Sequence, residues 1–341
     1  MTLTTIQLEA PYLLYIGDVP DDEHAKTAFG IRDWRPEKCA GQMRLPDCPV
    51  DLDLPDMTAE AARTAGVKTA IVGVAPTGGA IPEHWMPDLI SIAKAGIDIA
   101  AGMHTKLADM PELVAAANEG GSRLVDVRVP PPGIPVGDAS KRSGKRVLMV
   151  GTDCAIGKKY TALSLHRELT TRGIKTRFRA TGQTGIMIAG EGMPMDSVVA
   201  DFISGAAEVL TPNNDDDHWD VIEGQGSLAH PGYAAVTYGL VIGSQPDAMI
   251  LCHDVERTQI IDPRKYIPIP DFDELMAEYL VAAHKTNEDS RFVGISVNTK
   301  RMSAEDRKAY LADLEQKHGL PAVDPVAGSI GPIADRLLET T

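Results

Sequence analysis

The chain has 341 residues, 43% of them hydrophobic, with Gly 31 and Pro 24 near average usage; this excludes a fibrous or disordered protein and predicts two domains. Its 33 basic and 48 acidic residues leave a net charge of −15, which excludes capture of nucleic acid or anionic membrane through bulk charge. An anionic ligand must therefore be held by a local cluster of donors.

YLLYIGDV (12–19) predicts a buried strand, followed by a helix after DEHA in which Lys26 and Arg32 lie six apart. TAEAARTAG (58–66) predicts a helix capped by Thr58 and stopped by Gly66. VKTAIVGVA (67–75) is a β-branched strand with PTGGA (76–80) at its end. EHWMPDLISIAKAG (83–96) predicts a helix, IDIAAGMH (97–104) a strand, MPELVAAANEG a helix and SRLVDVRV a strand. Such alternation builds a parallel sheet covered by helices, and ligands sit beyond the carboxyl ends of its strands. Those ends carry Gly78, Gly79, His104 and Arg128.

PPPGIPVGDASKRSGK (130–145) holds four prolines and three glycines, which continue neither a helix nor a central strand, so it reads as a linker. The expected division is 1–135 and 136–341, two three-layer α/β domains with mainly parallel sheets.

RVLMVG opens the second domain as a strand, then come a glycine-bounded loop and a helix over 158–172. KTRFRATG is the next strand, QTGIMIAGEGMPM a glycine-rich loop, and DSVVADFISGAAEVL (196–210) a helix. DVIEGQGSL reads as a strand ending in a loop, followed by helix 232–241, strand DAMILCHDV, helix FDELMAEYLVAAH, strand FVGISVNT and helix AEDRKAYLADLEQKHG. NNDDDHWD (213–220) lacks the glycine and ligand spacing of a calcium loop and reads as a solvated turn.

The loop comprises Gly151, Thr152, Asp153, Cys154, Ala155, Ile156, Gly157, Lys158, Lys159 and Tyr160. Glycines at its two ends allow backbone N–H groups to turn toward an anion, the following helix contributes its N-terminal dipole, and Lys158 adds a formal charge. The pattern predicts phosphate binding. Its spacing is one residue longer than the common G-x4-G-K form. Lys159 stands where a nucleotidase places the hydroxyl that holds magnesium, and Thr161 lies two positions further on. A second cation in place of a metal ligand favours a polyphosphate bound without metal, such as the diphosphate or 3′-phosphate of coenzyme A. No metal is expected.

Cys39, Cys48, Cys154 and Cys252 form no C-x-x-C pair and read as free thiols in a reducing compartment. MTLTTIQLEAPYLLYIGD has no basic stretch followed by a long apolar one, so no signal peptide is expected, and no run approaches the roughly 18 apolar residues of a membrane span. The expectation is a cytoplasmic protein without nucleic-acid or membrane partners, and a homo-oligomer by default.

GTDCAIGKK with EGQGSLAHPG (223–232) resembles the phosphate-loop family of dethiobiotin synthetase. KTAFGIR (26–32), GVAPTGG (73–79), GMH (102–104), DVR (126–128), the loop, EGQGSL and SQPDAMIL (244–251) together resemble a bacterial family once catalogued only as a domain of unknown function. A member type of that family is D-glutamate N-acetyltransferase. The resemblance implies a Rossmann-like N-terminal domain, a P-loop NTPase-like C-terminal domain, and transfer of the acetyl group of acetyl-CoA to an acidic amino acid, D-glutamate, across the cleft between domains.

Acetyl transfer to an amine needs a base, donors for the oxyanion, and cations for the substrate's carboxylates. Glu223 follows a buried apolar strand and is the first candidate base, with a metal ligand or an acceptor for loop N–H groups as its alternatives. His230 and Asp254 are further acid/base candidates, and Gln225 and Ser227 offer donors to substrate or oxyanion. His253 and Asp254 end a strand, where packing and turn capping also account for them. Cys154 has no paired base evident in the sequence, which argues against an acyl-cysteine. Lys26, Arg32, His104 and Arg128, with the Gly78–Gly79 turn, are the candidates for binding the amino acid. Two other readings are an ATP- and magnesium-dependent ligase or kinase of the dethiobiotin synthetase type, using Glu223 with Asp196 or Asp201, and a nucleotide-sensing protein without turnover.

Overall fold

The computed structural model describes residues 5–74, 79–261 and 266–339. The chain forms two compact units, one made of Ile6–Pro130 with Gln183–Pro194, the other of Pro131–Gly182 with the chain from Met195 onward.

The first unit is built on five parallel strands in the spatial order Cys39–Arg44, Tyr12–Gly17, Thr69–Val72, Asp98–Ala101 and Leu124–Asp126. Tyr12–Gly17 and Thr69–Val72 are buried along their whole lengths, as strands covered on both faces must be. Thr58 Oγ1 accepts the Ala61 N–H at 3.2 Å and caps Ala59–Thr64, as its sequence predicts. Helix 83–96 is a 3-10 turn, Glu83–Trp85, leading into the α-helix Met86–Lys94, because Pro87 fits only the first turn.

The edge strand Cys39–Arg44 carries no β-branched residues and so no local signal. Its Gly41 is held so close to the Met57 Sδ and the Pro55 carbonyl that a Cβ would lie 2.7 Å from each. QTGIMIAGEGMPM, expected as a loop, instead folds as the helix Gln183–Ala189 and the strand Glu191–Gly192, which pairs antiparallel with Ile6–Gln7. Burial of Gly185, Ile186, Met187 and Ile188 within the first unit outweighs the local glycine signal.

The second unit carries six parallel strands in the order Ala322–Val323, Arg291–Asn298, Ala248–Asp254, Lys145–Gly151, Trp219–Ile222 and Thr176–Arg179. Helix Lys158–Thr171 follows the strand Lys145–Gly151, as expected. The helix expected over 196–210 forms only as Ile203–Leu210, after two 3-10 turns. The β-branched pair Val198 and Val199 precedes it, and Val199 is extended. Among the described residues, no helix is long and apolar enough to cross a membrane.

Candidate active site

The three central strands of the second sheet, Ala248–Asp254, Lys145–Gly151 and Trp219–Ile222, are neighbours, so their carboxyl ends bring together segments distant in sequence. The phosphate loop leaves the first of these strands in chain order at Gly151, where a Cβ would stand 2.6 Å from Ile156 Cδ1; glycine lets the turn close on itself. The loop ends at Gly157, with φ +108°, and Ala155 also adopts a left-handed conformation, φ +55°. The 14-residue helix that follows opens at Lys158, so its first-turn N–H groups and dipole favour an anion.

Lys158 is 6% exposed, and its Nζ donates to the carbonyl oxygens of Asp153 at 2.6 Å and Gly226 at 2.7 Å. Burial pulls its ammonium below the ordinary lysine value. Lys159 is half-buried, its Nζ 4.7 Å from the centre of the Tyr160 ring. Tyr279 ties the loop to the segment after Glu223: its hydroxyl donates to Gly151 O at 2.9 Å and accepts the Leu228 N–H at 3.2 Å. Thr152 Oγ1 lies 2.9 Å from His253 Nδ1, and burial pulls that imidazole down to about 4.

Glu223 is 5% exposed. Its Oε2 accepts the N–H groups of Thr181 at 3.0 Å and Gly182 at 3.1 Å, and Thr181 Oγ1 donates to the Glu223 carbonyl at 2.8 Å. Burial raises its pKa, opposed by those N–H groups and by the charges of Lys159 and Lys158. Its bonds to loop amides fix the orientation of this carboxylate, which burial tunes upward beside the two lysines. Gln225 Nε2 donates to Thr181 Oγ1 at 2.9 Å, so the amide belongs to the same network.

Other sequence candidates are engaged in structure. Ser227 is fully buried and its Oγ accepts the Ala229 N–H at 3.2 Å, which removes it from any ligand's reach. Asp254 accepts the Asn298 amide at 2.8 Å and the Glu256 N–H at 3.0 Å, the work of a turn cap. Asp196 and Asp201 are exposed.

Asp153, Cys154 and His230 each bring one ligand-type atom within 4.8 Å of the others. His230 Nδ1 accepts the Gly232 N–H at 3.0 Å, which places the proton of the neutral ring on Nε2. Nε2 is buried and has no acceptor. Asp153 Oδ1 accepts the Cys154 N–H at 2.7 Å and its Oδ2 the Ile261 N–H at 2.8 Å, with Arg257 Nε at 3.5 Å. Those bonds make the trio part of a hydrogen-bonded corner of the loop. They also answer the question of a base for Cys154: a histidine stands close by, but in this tautomer Nε2 is a donor. Burial raises the Cys154 thiol, so no thiolate stands ready.

The first unit has a cavity of about 330 Å³ at the carboxyl ends of its strands, lined in part by Thr27, Gly79, Gly102, His104, Arg128 and Gln183. It unites three of the residues expected to bind the amino acid: Gly79, His104 and Arg128. Gly79 has φ +68°, and a Cβ there would collide with the His104 ring, so glycine is required for the imidazole to sit as it does. Gly78 lies outside the described residues. Lys26 is exposed and does not line the cavity. Arg32 is also elsewhere: it pairs with Asp33 and Asp53, donates to Leu52 O at 3.1 Å, and stacks on Phe29. Gln183 escaped the sequence reading because its segment reads as a glycine-rich loop, and no local pattern marks it as lining a cavity.

Both halves of the chain match family descriptions: a "Domain of unknown function (DUF1611_N) Rossmann-like domain" over residues 38–130 and a "Domain of unknown function (DUF1611_C) P-loop domain" over residues 134–334. The fold expected from sequence, two α/β domains with Rossmann-like and P-loop parts, is therefore the one found. A D-glutamate N-acetyltransferase of Tritonibacter scottomollicae is 51% identical over 330 residues, 97% of this chain and 99% of its own. A second, from a Pseudoalteromonas species, is 41% identical over 332 residues, 97% and 100% of the two chains. The crystal structure of a DUF1611 family protein from Anabaena variabilis, 31% identical, superposes with a TM-score of 0.81 over 97% of this chain and 100% of that one. On this likeness, which runs through both units, the chain belongs to the DUF1611 family.

Proposed function

We propose that this protein is a D-glutamate N-acetyltransferase that takes the acetyl group from acetyl-CoA. The observation that carries the reading is the 51% identity to a relative of that name over nearly the whole of both chains. Two sites support it from the chemistry of their residues. In the second unit, Lys158, Lys159 and the start of the helix Lys158–Thr171 offer two cations and a set of N–H groups suited to the phosphates of coenzyme A. In the first unit, the cavity presents His104 and Arg128, and no acidic residue lines it among the described residues. In a chain with a net charge of −15, such a patch favours an anionic ligand such as a dicarboxylate.

Glu223 is the proposed base. It takes a proton from the substrate ammonium, and the freed nitrogen attacks the thioester carbonyl carbon. The tetrahedral intermediate gives up a second proton from its nitrogen to solvent and collapses with loss of the coenzyme A thiolate, which recovers the first proton from Glu223. Burial suits Glu223 to this exchange, since it lifts the carboxylic acid toward a pKa at which it can both gain and lose a proton. His230 Nε2–H is a candidate donor to a phosphoryl oxygen or an oxyanion.

Calorimetric titration with acetyl-CoA and, separately, with ATP plus magnesium tests the donor, each repeated on Lys159→Thr. The expected result is micromolar binding of acetyl-CoA that the substitution weakens, with release of free thiol once D-glutamate is added. Binding of ATP with magnesium, and no response to acetyl-CoA, overturns the acyltransferase reading.

A further inference from the structure

We propose that Gln183 reads the amino group of the bound amino acid and so selects amino acids over the matching hydroxy acids. The proposal rests on the reading of the first-unit cavity as the site for D-glutamate. An acidic amino acid brings two carboxylates and one ammonium. His104 and Arg128 can donate to the carboxylates; a guanidinium has no acceptor, and a His104 nitrogen that donates to a carboxylate accepts nothing. With no carboxylate among the described lining residues, the ammonium needs a neutral acceptor. Thr27 Oγ1 lies 3.3 Å from Thr184 Oγ1 and is already in a hydroxyl pair. The Gly79 carbonyl accepts the His104 N–H at 2.9 Å.

Gln183 differs from these. Its Oε1 is buried, has no hydrogen-bond partner, and belongs to a side chain that lines the cavity. A buried acceptor without a donor is unfavourable, and a ligand N–H relieves it. Its place against the chain is also specific: a Cβ on Gly102 would collide with Oε1, so only glycine at 102 leaves the amide where it stands.

A neutral acceptor suits acetyl transfer better than a carboxylate would. A second carboxylate fixed against the amine, besides the base Glu223, would favour the ammonium form and hold back the proton that must leave before attack. An amide oxygen orients the nitrogen while adding no charge. It also discriminates, because the ammonium gives the amide oxygen a charge-assisted hydrogen bond, stronger than the neutral one that the O–H of a 2-hydroxy acid can give.

The test is calorimetric binding of D-glutamate and of (R)-2-hydroxyglutarate to the full chain and to Gln183→Met and Gly102→Ala. Gln183→Met keeps the length of the side chain and removes the acceptor. Gly102→Ala keeps the glutamine and displaces its amide. For the unaltered protein we expect tighter binding of D-glutamate than of the hydroxy acid. In Gln183→Met the affinity for D-glutamate should fall about 10- to 100-fold, the affinity for the hydroxy acid should change less, and the preference should collapse toward unity. Gly102→Ala should shift the preference in the same direction, and it decides the matter if Gln183→Met does not fold. An unchanged preference in the folded variants overturns the role of Gln183 and leaves the substrate reading standing. Failure of the unaltered protein to bind D-glutamate overturns both.

Discussion

The ammonium of Lys158 reaches the carbonyl oxygen of Gly226 at 2.7 Å, joining the phosphate loop to the segment that begins at Glu223. The two stretches lie 68 residues apart in sequence and end neighbouring strands. Lys158→Met keeps the stem of the side chain and removes its charge. The affinity for acetyl-CoA should fall at least about 100-fold, the scale of a charge-assisted contact to phosphate, while thermal unfolding remains cooperative. Titration calorimetry beside a melting curve checks both.

Glu223→Gln separates chemistry from architecture. The amide oxygen can still accept the Thr181 and Gly182 N–H groups, so the fold should hold. Thiol release with D-glutamate should drop about 10²- to 10⁴-fold if Glu223 is the base. The stability effect has a definite sign. The folded pKa lies above the ordinary 4.5, so the folded state retains its proton when the unfolded chain has lost it. Wild-type stability relative to the Gln variant should therefore fall as pH rises above about 4.5. Urea unfolding of both proteins across that range measures it.

Arg128 and Arg32 make a contrast. Arg128 lines the first-unit cavity and Arg32 does not. Arg128→Ala should raise the KM for D-glutamate about 10- to 100-fold. Arg32→Ala removes surface ion pairs to Asp33 and Asp53 and should leave KM within about twofold, with a stability loss of about 1 kcal/mol or less. Equal effects on KM would remove Arg128 from the substrate site.

His253 predicts an acid limit. Its folded pKa of about 4 lies below the ordinary 6.5, so between these values the unfolded ring takes up a proton that the folded ring refuses. This stabilisation is whole above pH 6.5 and is lost as pH falls toward 4, about 3 kcal/mol in all. His253→Gln, whose amide can still meet Thr152, should abolish that part of the pH dependence. Denaturant unfolding at several pH values is the measurement.

Much of the fold and part of the site were legible in the sequence, and the residues show why. Lys145–Gly151 is an apolar run, Gly151 and Gly157 bound the loop, and Lys158 opens a helix; phosphate-binding geometry is local, written in consecutive residues. The β–α alternation of the first unit and the cap at Thr58 are likewise local. The cavity residues Gly79, His104 and Arg128 were found because sheet strands place their carboxyl ends on one edge, a rule that needs only the order of elements.

Only the tertiary structure decided the rest. Arg32 and Arg128 are the same residue type in similarly recognisable stretches, and it is packing around Asp33, Asp53 and Phe29 that withdraws Arg32. The sequence offers His230 as an acid or base, and only the Gly232 N–H held by Nδ1 decides that Nε2 is the nitrogen carrying the proton of the neutral ring. Gln183 and the helix it begins lie far along the chain from the unit they join, and no local propensity encodes a docking made by burial of Ile186, Met187 and Ile188. Sequence by itself determined most of the elements and the phosphate loop, because hydrophobic period, turn chemistry and glycine placement act over a few residues. Which side chains share a cavity, and which are already bonded to a neighbour, depends on contacts between distant segments, and those exist only once the chain has folded.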